Sequence, residues 1–258
     1  MKVTPKKALG QHFLRNGGIA MDIASALTKH GDYQRVIEIG PGTGALTKCI
    51  QKAQPDLHLS VIEIDGESIT YLKLNKVVPD EDIFDADFLK APLLDMMGDK
   101  FAVIGNFPYN ISTQILFRVY DMRDHVPEVV GMFQKEVAMR IASGPGSKEY
   151  GILSVLLQMF YDIEYLFTVD AMEFEPPPKV QSGVIRLRRN NIVDPGCDVK
   201  MFKNVIKTAF NQRRKTLRNS LKALTPEGFV WPEDLAGQRP EQLGPHEFVR
   251  ITNLFSES

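Results

Sequence analysis

The chain has 258 residues, with 31 Lys and Arg against 32 Asp and Glu and 43% hydrophobic residues. That length and apolar fraction support one large domain, or a large and a small one, and exclude a mostly disordered chain. The 19 Gly and 16 Pro exclude collagen-like and low-complexity classes. The longest apolar-rich run, residues 151–160, falls far short of the ~20 residues of a membrane span, and the N-terminal residues lack the apolar stretch of a secretory signal. The two cysteines, Cys49 and Cys197, suggest a reducing compartment and cannot build a cysteine zinc site, so a cytoplasmic protein with no membrane or metal partner is expected.

Apolar residues at helical spacing predict a helix over 19–28. The β-branched run 35–39 predicts a strand that ends at a glycine-rich turn, and 43–53 returns to helical spacing. A strand over 57–64, a helix over 67–76, a short strand over 82–86 and a stronger one over 101–104 follow, the last running into a turn at 105–109. Next come a helix over 113–120, a strand over 128–133, a helix over 135–142, a loop at 143–147, a helix over 152–160, and strands over 163–169 and 183–187. Alternating strands and helices imply an α/β fold, a mainly parallel sheet with helices on both faces and right-handed crossovers. Past Arg189 the pattern changes. Residues 190–196 read as a linker, and 199–224 as a helix with Phe202, Val205, Ile206, Ala209, Phe210, Leu217, Leu221 and Leu224 on its apolar side. Two domains are therefore expected, residues 1–190 and a small helical one over 197–258.

The near-neutral total hides a segregation of charge. Residues 179–222 hold 12 basic side chains against Asp194 and Asp198, a net +10 that leaves −11 for the rest of the chain. A local basic stretch on an acidic protein points to an anionic partner, or else to a solvated helix face.

The first chemical motif is Glu38-Ile-Gly-Pro-Gly-Thr-Gly44, placed after a strand and before a helix. Gly40 and Gly42 let the backbone turn sharply and approach a ligand. Glu63, at the end of the next strand and 23 residues beyond Gly40, suits a carboxylate that accepts from two ribose hydroxyls. A nucleoside-containing cofactor follows. The spacing is not the dinucleotide fingerprint, and the negative Glu38 would repel pyrophosphate but tolerate an ammonium and a sulfonium, which favours S-adenosylmethionine over NAD. Asp87, after the third strand, is placed either to accept from an adenine amine or to serve as a turn residue. The second motif is Asn106-Phe-Pro-Tyr109, at the carboxyl end of the fourth strand, where ligands sit in such sheets. Acceptors from Asn106 and the Pro108 carbonyl would bond both hydrogens of an adenine N6 and favour a pyramidal nitrogen. Tyr109 offers a flat face for stacking, a task that needs its ring and not its hydroxyl.

Asn106-Phe-Pro-Tyr109 resembles the Asn-Leu/Phe-Pro-Tyr motif of the rRNA adenine dimethyltransferases. Gly10-Gln-His-Phe-Leu14 resembles their N-terminal element, 174–182 their F-x-P-x-P-K-V-x-S loop, and 210–219 their F-x-x-R-R-K-x-L-x-N helix. The match runs in order over about residues 6–222 and is closest to the bacterial small-subunit form. The macrolide-resistance enzymes that act on the large subunit share the cofactor and the Asn-x-Pro-Tyr type of motif, and the two later elements favour the small-subunit reading. The resemblance implies a seven-stranded Rossmann-like class I methyltransferase sheet, its last strand antiparallel, plus a small all-helical C-terminal domain. It implies S-adenosylmethionine contacts at His12, Leu14, Gly40, Gly42, Glu63, Asp87 and Asn106. It gives Asn106, Pro108 and Tyr109 the catalytic work and has Tyr109 and Phe174 sandwich the target adenine. This chain has His12 where many members carry Asn. The implied reaction is N6,N6-dimethylation of two adjacent adenosines near the 3′ end of 16S rRNA, late in small-subunit biogenesis, by a monomer acting on a pre-30S particle. The basic helix, with Arg213, Arg214, Lys215 and Arg218, would then contact RNA phosphates.

Overall fold

The computed structural model describes residues 3–257. Residues 1, 2 and 258, at the outer ends of the two expected domains, lie outside the described residues. Seven strands form one sheet: β2 (Arg35–Ile39), β3 (His58–Glu63), β4 (Ile83–Asp85), β5 (Ala102–Asn106), β6 (Glu128–Gln134), β7 (Tyr161–Val169) and β9 (Ser182–Arg189), in the order β4-β3-β2-β5-β6-β9-β7. The pairs from β4 through to β6 are parallel, whereas β9 runs antiparallel to β6 with Gln134 opposite Ser182 and Glu128 opposite Arg188. Residues 102–105 of β5 and 128–133 of β6 are buried without alternation, the mark of a sheet covered on both faces. Helices α2 (Ala45–Ala53), α3 (Gly66–Leu74), α4 (Leu93–Met97) and α5 (Ser112–Asp121) supply the crossovers, while α1 (Gly17–Ser25) precedes β2 and α6 (Lys135–Ala142) follows β6. Their starts are chemically marked. Asn16 accepts from the Gly18 and Ile19 N–H groups, and Asp65 from that of Glu67.

Successive strands leave the centre of this sheet in opposite directions, β3 and β4 to one side of β2, β5 and β6 to the other. A crevice must open at the carboxyl ends of β2 and β5, where the order reverses. The two chemical motifs follow these two strands. A separate two-stranded pair, β1 (Phe13–Leu14) with β8 (Phe174–Glu175), was not expected from the sequence; Phe13 faces Glu175 and Leu14 faces Phe174 across it. Two residues per strand give no readable periodicity.

Contacts divide the chain into two compact units, one of residues up to 138 with 162–189, the other of 139–161 with 190 onward. The second unit thus takes a segment from inside the expected first domain. The reason is α7 (Ile152–Gln158), whose buried Leu153, Val155, Leu156 and Leu157 pack with α8 (Val199–Asn211) and α11 (Pro245–Ser256). The expected long basic helix stops early: α8 ends at Asn211, residues 212–215 turn, and α9 (Leu217–Ser220) restarts with Leu217 fully buried. Residues 211–216 hold no apolar side chain to keep the helix on its core, and the Leu217 N–H is drawn to the Gln238 carbonyl at 2.8 Å. The short α10 (Glu233–Ala236) completes the unit.

One packing arrangement inside the first unit fixes the turn after β5. The Phe107 ring, 1% exposed, lies against Gly105 and Gly131, which face each other on β5 and β6, and meets Phe133 edge-on with ring centroids 5.1 Å apart. A Cβ at Gly131 would stand 2.5 Å from Phe107 and 2.7 Å from Phe133. Gly131→Ala is therefore expected to cost about 1–3 kcal/mol by overpacking, measured as a lower denaturation midpoint.

Candidate active site

Eight of the residues singled out by the sequence line one cleft: His12, Gly40, Gly42, Glu63, Asp87, Asn106, Pro108 and Tyr109. The loop after β2 forms its floor, with Gly40, Gly42 and Gly44 all at positive φ. Glu63 ends β3, and its carboxylate is aimed by three backbone donors: Ile64 and Asp65 N–H to Oε1 at 2.8 and 2.9 Å, and Gly42 N–H to Oε2 at 3.3 Å. Oε1 is filled by its two donors, and Oε2, with one, keeps acceptor capacity for a ligand. Burial raises the Glu63 pKa, while the bonds from Asp65, Ile64 and Gly42 oppose the rise. Asp87 is placed for both of the expected roles. It lines the cleft and it also stabilises its turn, accepting the Leu89 N–H at 2.9 Å.

Asn106 closes β5 with a defined amide orientation. Its Nδ2 donates to the His12 carbonyl at 2.8 Å. A carbonyl can only accept, so this contact sets which end of the amide is nitrogen and leaves Oδ1 as the free acceptor. The Pro108 carbonyl already accepts the Ile111 N–H at 3.1 Å, which pins the turn into α5 and leaves a second lone pair. The Tyr109 ring lies beside His12, centroids 5.4 Å apart and planes tilted by 31°. Nδ1 of His12 donates to the Pro176 carbonyl at 2.8 Å.

The N-terminal segment is held over the cleft by several such ties. Lys6 pairs with Asp65 and reaches Glu67 at 3.5 Å, and Arg15 N–H bonds the Glu173 carbonyl at 2.9 Å. Burial works to raise the Asp65 pKa, but hydrogen bonds from Lys6, Ser68 and Gln11 outweigh it and hold the carboxyl below its usual range.

Two expected site residues are placed elsewhere. Leu14, 7% exposed, and Phe174, 1% exposed, belong to the hydrophobic core of the first unit, where they face each other across the β1–β8 pair. A strand sends alternate side chains to opposite faces. Phe13, rather than Leu14, therefore lines the cleft, and a Cβ at Gly42 would come within 2.7 Å of its ring. Phe174 offers no open face for a base. Sequence reading also missed Ile64 and Phe88, apolar residues next to the acids that were singled out, and both line the cleft. In the second unit Arg214, Lys215 and Arg218 are exposed, whereas Arg213 is half-buried and donates to the Ser147 carbonyl at 3.2 Å.

Beneath the glycine loop lies a buried acid with one unpaired oxygen. Glu38, on β2, is 1% exposed, and its Oε2 has no hydrogen-bond partner. Burial pushes its pKa up to about 8, with the Thr47 hydroxyl opposing in part and the negative Glu63 adding to the rise. Among the described residues no group of three or more His, Cys, Asp or Glu could hold a metal ion, and no helix is long and apolar enough to cross a membrane.

Solved structures share this architecture. A dimethyladenosine transferase from Plasmodium falciparum matches with TM-score 0.78 at 24% identity, covering 95% of this chain and 98% of that one. The 23S rRNA methyltransferase ErmE matches with TM-score 0.67 at 22% identity, covering 95% and 99%. The reversal in strand order, the antiparallel β9 and the glycine-floored cleft make this a class I methyltransferase fold. Closer relatives resolve the family. A protein of Cytophaga hutchinsonii named ribosomal RNA small subunit methyltransferase A is 57% identical over 257 residues, 99% of this chain and 98% of its own length. One of the same name from Porphyromonas gingivalis is 53% identical over the full length of both chains. The family model for ribosomal RNA adenine dimethylase matches residues 3–255, and the chain belongs to that family.

The Glu38 environment sets a pH dependence. A carboxyl whose pKa is raised on folding binds its proton more tightly in the folded state, so stability falls as pH rises from the ordinary carboxylate range to about 8 and then levels off. Glu38→Gln cannot ionise. The difference in melting temperature between this variant and the wild type is expected to move in the variant's favour between pH 5 and pH 8, read by thermal denaturation across buffers; parallel curves would remove Glu38 from that role.

Proposed function

We propose that the protein transfers methyl groups from S-adenosylmethionine to N6 of two adjacent adenosines near the 3′ end of 16S rRNA, giving N6,N6-dimethyladenosines. It does so late in small-subunit biogenesis, as a cytoplasmic monomer on a pre-30S particle and without a metal. The small-subunit choice is supported by the names of the relatives, and the cofactor by the family and by the donor set of the cleft. That set fits the molecule: a glycine floor open to close approach, the Glu63 Oε2 acceptor for a ribose hydroxyl, and Asp87 beside the apolar Ile64 and Phe88 for an adenine. When bound, S-adenosylmethionine supplies a methyl group on a positively charged sulfur, already activated for displacement.

The observation that carries the reading is the fixed Asn106 amide. With Nδ2 committed to the His12 carbonyl, Oδ1 is the oxygen available to accept from an adenine N6–H. The second lone pair of the Pro108 carbonyl can take the other N6 hydrogen. Two acceptors draw the nitrogen away from conjugation with the ring, leaving its lone pair to attack. The Tyr109 ring is the stacking surface that offsets part of the cost of taking the base out of its helix. His12 serves this arrangement through its carbonyl and its ring. Orientation and exclusion of water are then the protein's main contributions.

Asn106→Ala is expected to slow methyl transfer by about 10²-fold or more, the scale of other positioned polar groups. Primer extension on unmethylated small subunits treated with enzyme and cofactor reads the product as stops at the two adenosines; wild-type stops in the variant would remove Asn106 from the reaction. The RNA surface is tested separately. Arg214→Glu with Arg218→Glu is expected to weaken binding to the small subunit and to make its salt slope shallower by about two counterions' worth, with cofactor binding intact. Filter binding across a salt series checks this, and an unchanged slope with unchanged affinity moves the RNA contact away from these side chains.

A further inference from the structure

A stacking platform needs the ring of Tyr109, yet the hydroxyl is also engaged. It lies 2.5 Å from the Oγ of Ser182, at the short end of O–H···O contacts. Ser182 is 0% exposed and is the first residue of β9. It pairs with Gln134, the last residue of β6, so it sits at the carboxyl edge of the parallel strands only because β9 runs the other way. Tyr109 stands three residues beyond the end of β5, with β6 between that strand and β9. Its hydroxyl therefore spans one strand to reach its anchor. Burial raises the pKa of that hydroxyl, which keeps the phenol protonated and able to hydrogen-bond at neutral pH.

Without this bond the Tyr109 ring would be located by His12 at one side and by its own rotamer preferences. With it, the far end of the ring is tied to the sheet as well. We propose that Ser182 is a positioning residue for methyl transfer: by hydrogen-bonding the Tyr109 hydroxyl it holds the ring at the angle that presents adenine N6 to Asn106 Oδ1. This rests on the methyl-transfer reading above.

The test is a double-mutant cycle of Ser182→Ala and Tyr109→Phe, each removing one half of the same bond. Methyl transfer from labelled S-adenosylmethionine to unmethylated small subunits gives kcat and the two KM values, and thermal denaturation checks folding. Each single variant is expected to lower kcat about tenfold with the cofactor KM unchanged, and the double variant to be no slower than either single. A Ser182→Ala rate equal to wild type overturns the proposal, as do losses that multiply to about a hundredfold in the double variant, since Ser182 would then act by another route. Should Ser182→Ala fail to fold, Tyr109→Phe decides alone, and a wild-type rate in that variant overturns the proposal. A wild-type enzyme that leaves adenine N6 unmodified overturns the methyl-transfer reading itself and the role of Ser182 with it.

Discussion

The site depends on a ring seated where two strands have no side chains. Gly105 and Gly131 face each other on β5 and β6, and the Phe107 ring lies over both. Burying that ring anchors the middle of the Asn106–Tyr109 turn in the sheet, so the residues on either side of it need no flexibility of their own. Asn106 and Pro108 then face the cleft from a backbone fixed by core packing. A loop held only by its own hydrogen bonds would not hold an amide to the accuracy that an attack geometry requires.

Electrostatics divide the cleft in two. On the β2–β3 side, burial raises the pKa of both Glu38 and Glu63, one with an unpaired Oε2 and the other bonded by three backbone donors. With Glu38 raised to about 8, a cation beside the pair would draw its proton off, whereas an anion would hold it in place. On the β5 side the polar groups are neutral: an amide, a prolyl carbonyl and a phenol. That asymmetry fits a positively charged donor on one side and an uncharged base on the other.

Much of this was legible in the sequence. Every strand of the large sheet was expected within a few residues of its place, because buried parallel strands read as β-branched runs between helical stretches. The two chemical motifs were legible because each follows a strand. What the sequence hid was parity and packing. Leu14 and Phe174 carry the family resemblance, yet with β1 and β8 only two residues long nothing in the pattern says which neighbour faces the cleft, and Phe13 does. Gly131 looks like any strand glycine until the Phe107 ring is found on it. Ser182 closes a recognisable motif but gains its meaning only from the direction of β9. The single helix expected over 199–224 breaks at the polar stretch 211–216, which has no apolar anchor of its own between Phe210 and Leu217.

The N-terminal segment has a consequence for the order in which the protein can be made. Residues 12–16 find their partners at 173–176: Phe13 with Glu175, Leu14 with Phe174, His12 with Pro176 and Arg15 with Glu173. They leave the ribosome about 160 residues ahead of their counterparts. The glycine floor and the Asn106 turn belong to strands that are complete well before then. During synthesis the cleft therefore acquires its floor early and its wall late. Lys6 and Gln11 can tie that segment to Asp65 early, and only the β1–β8 pairing must wait for residues 174–175. A nascent chain short of residue 173 holds the floor and the Asn106 turn but not the β1–β8 wall.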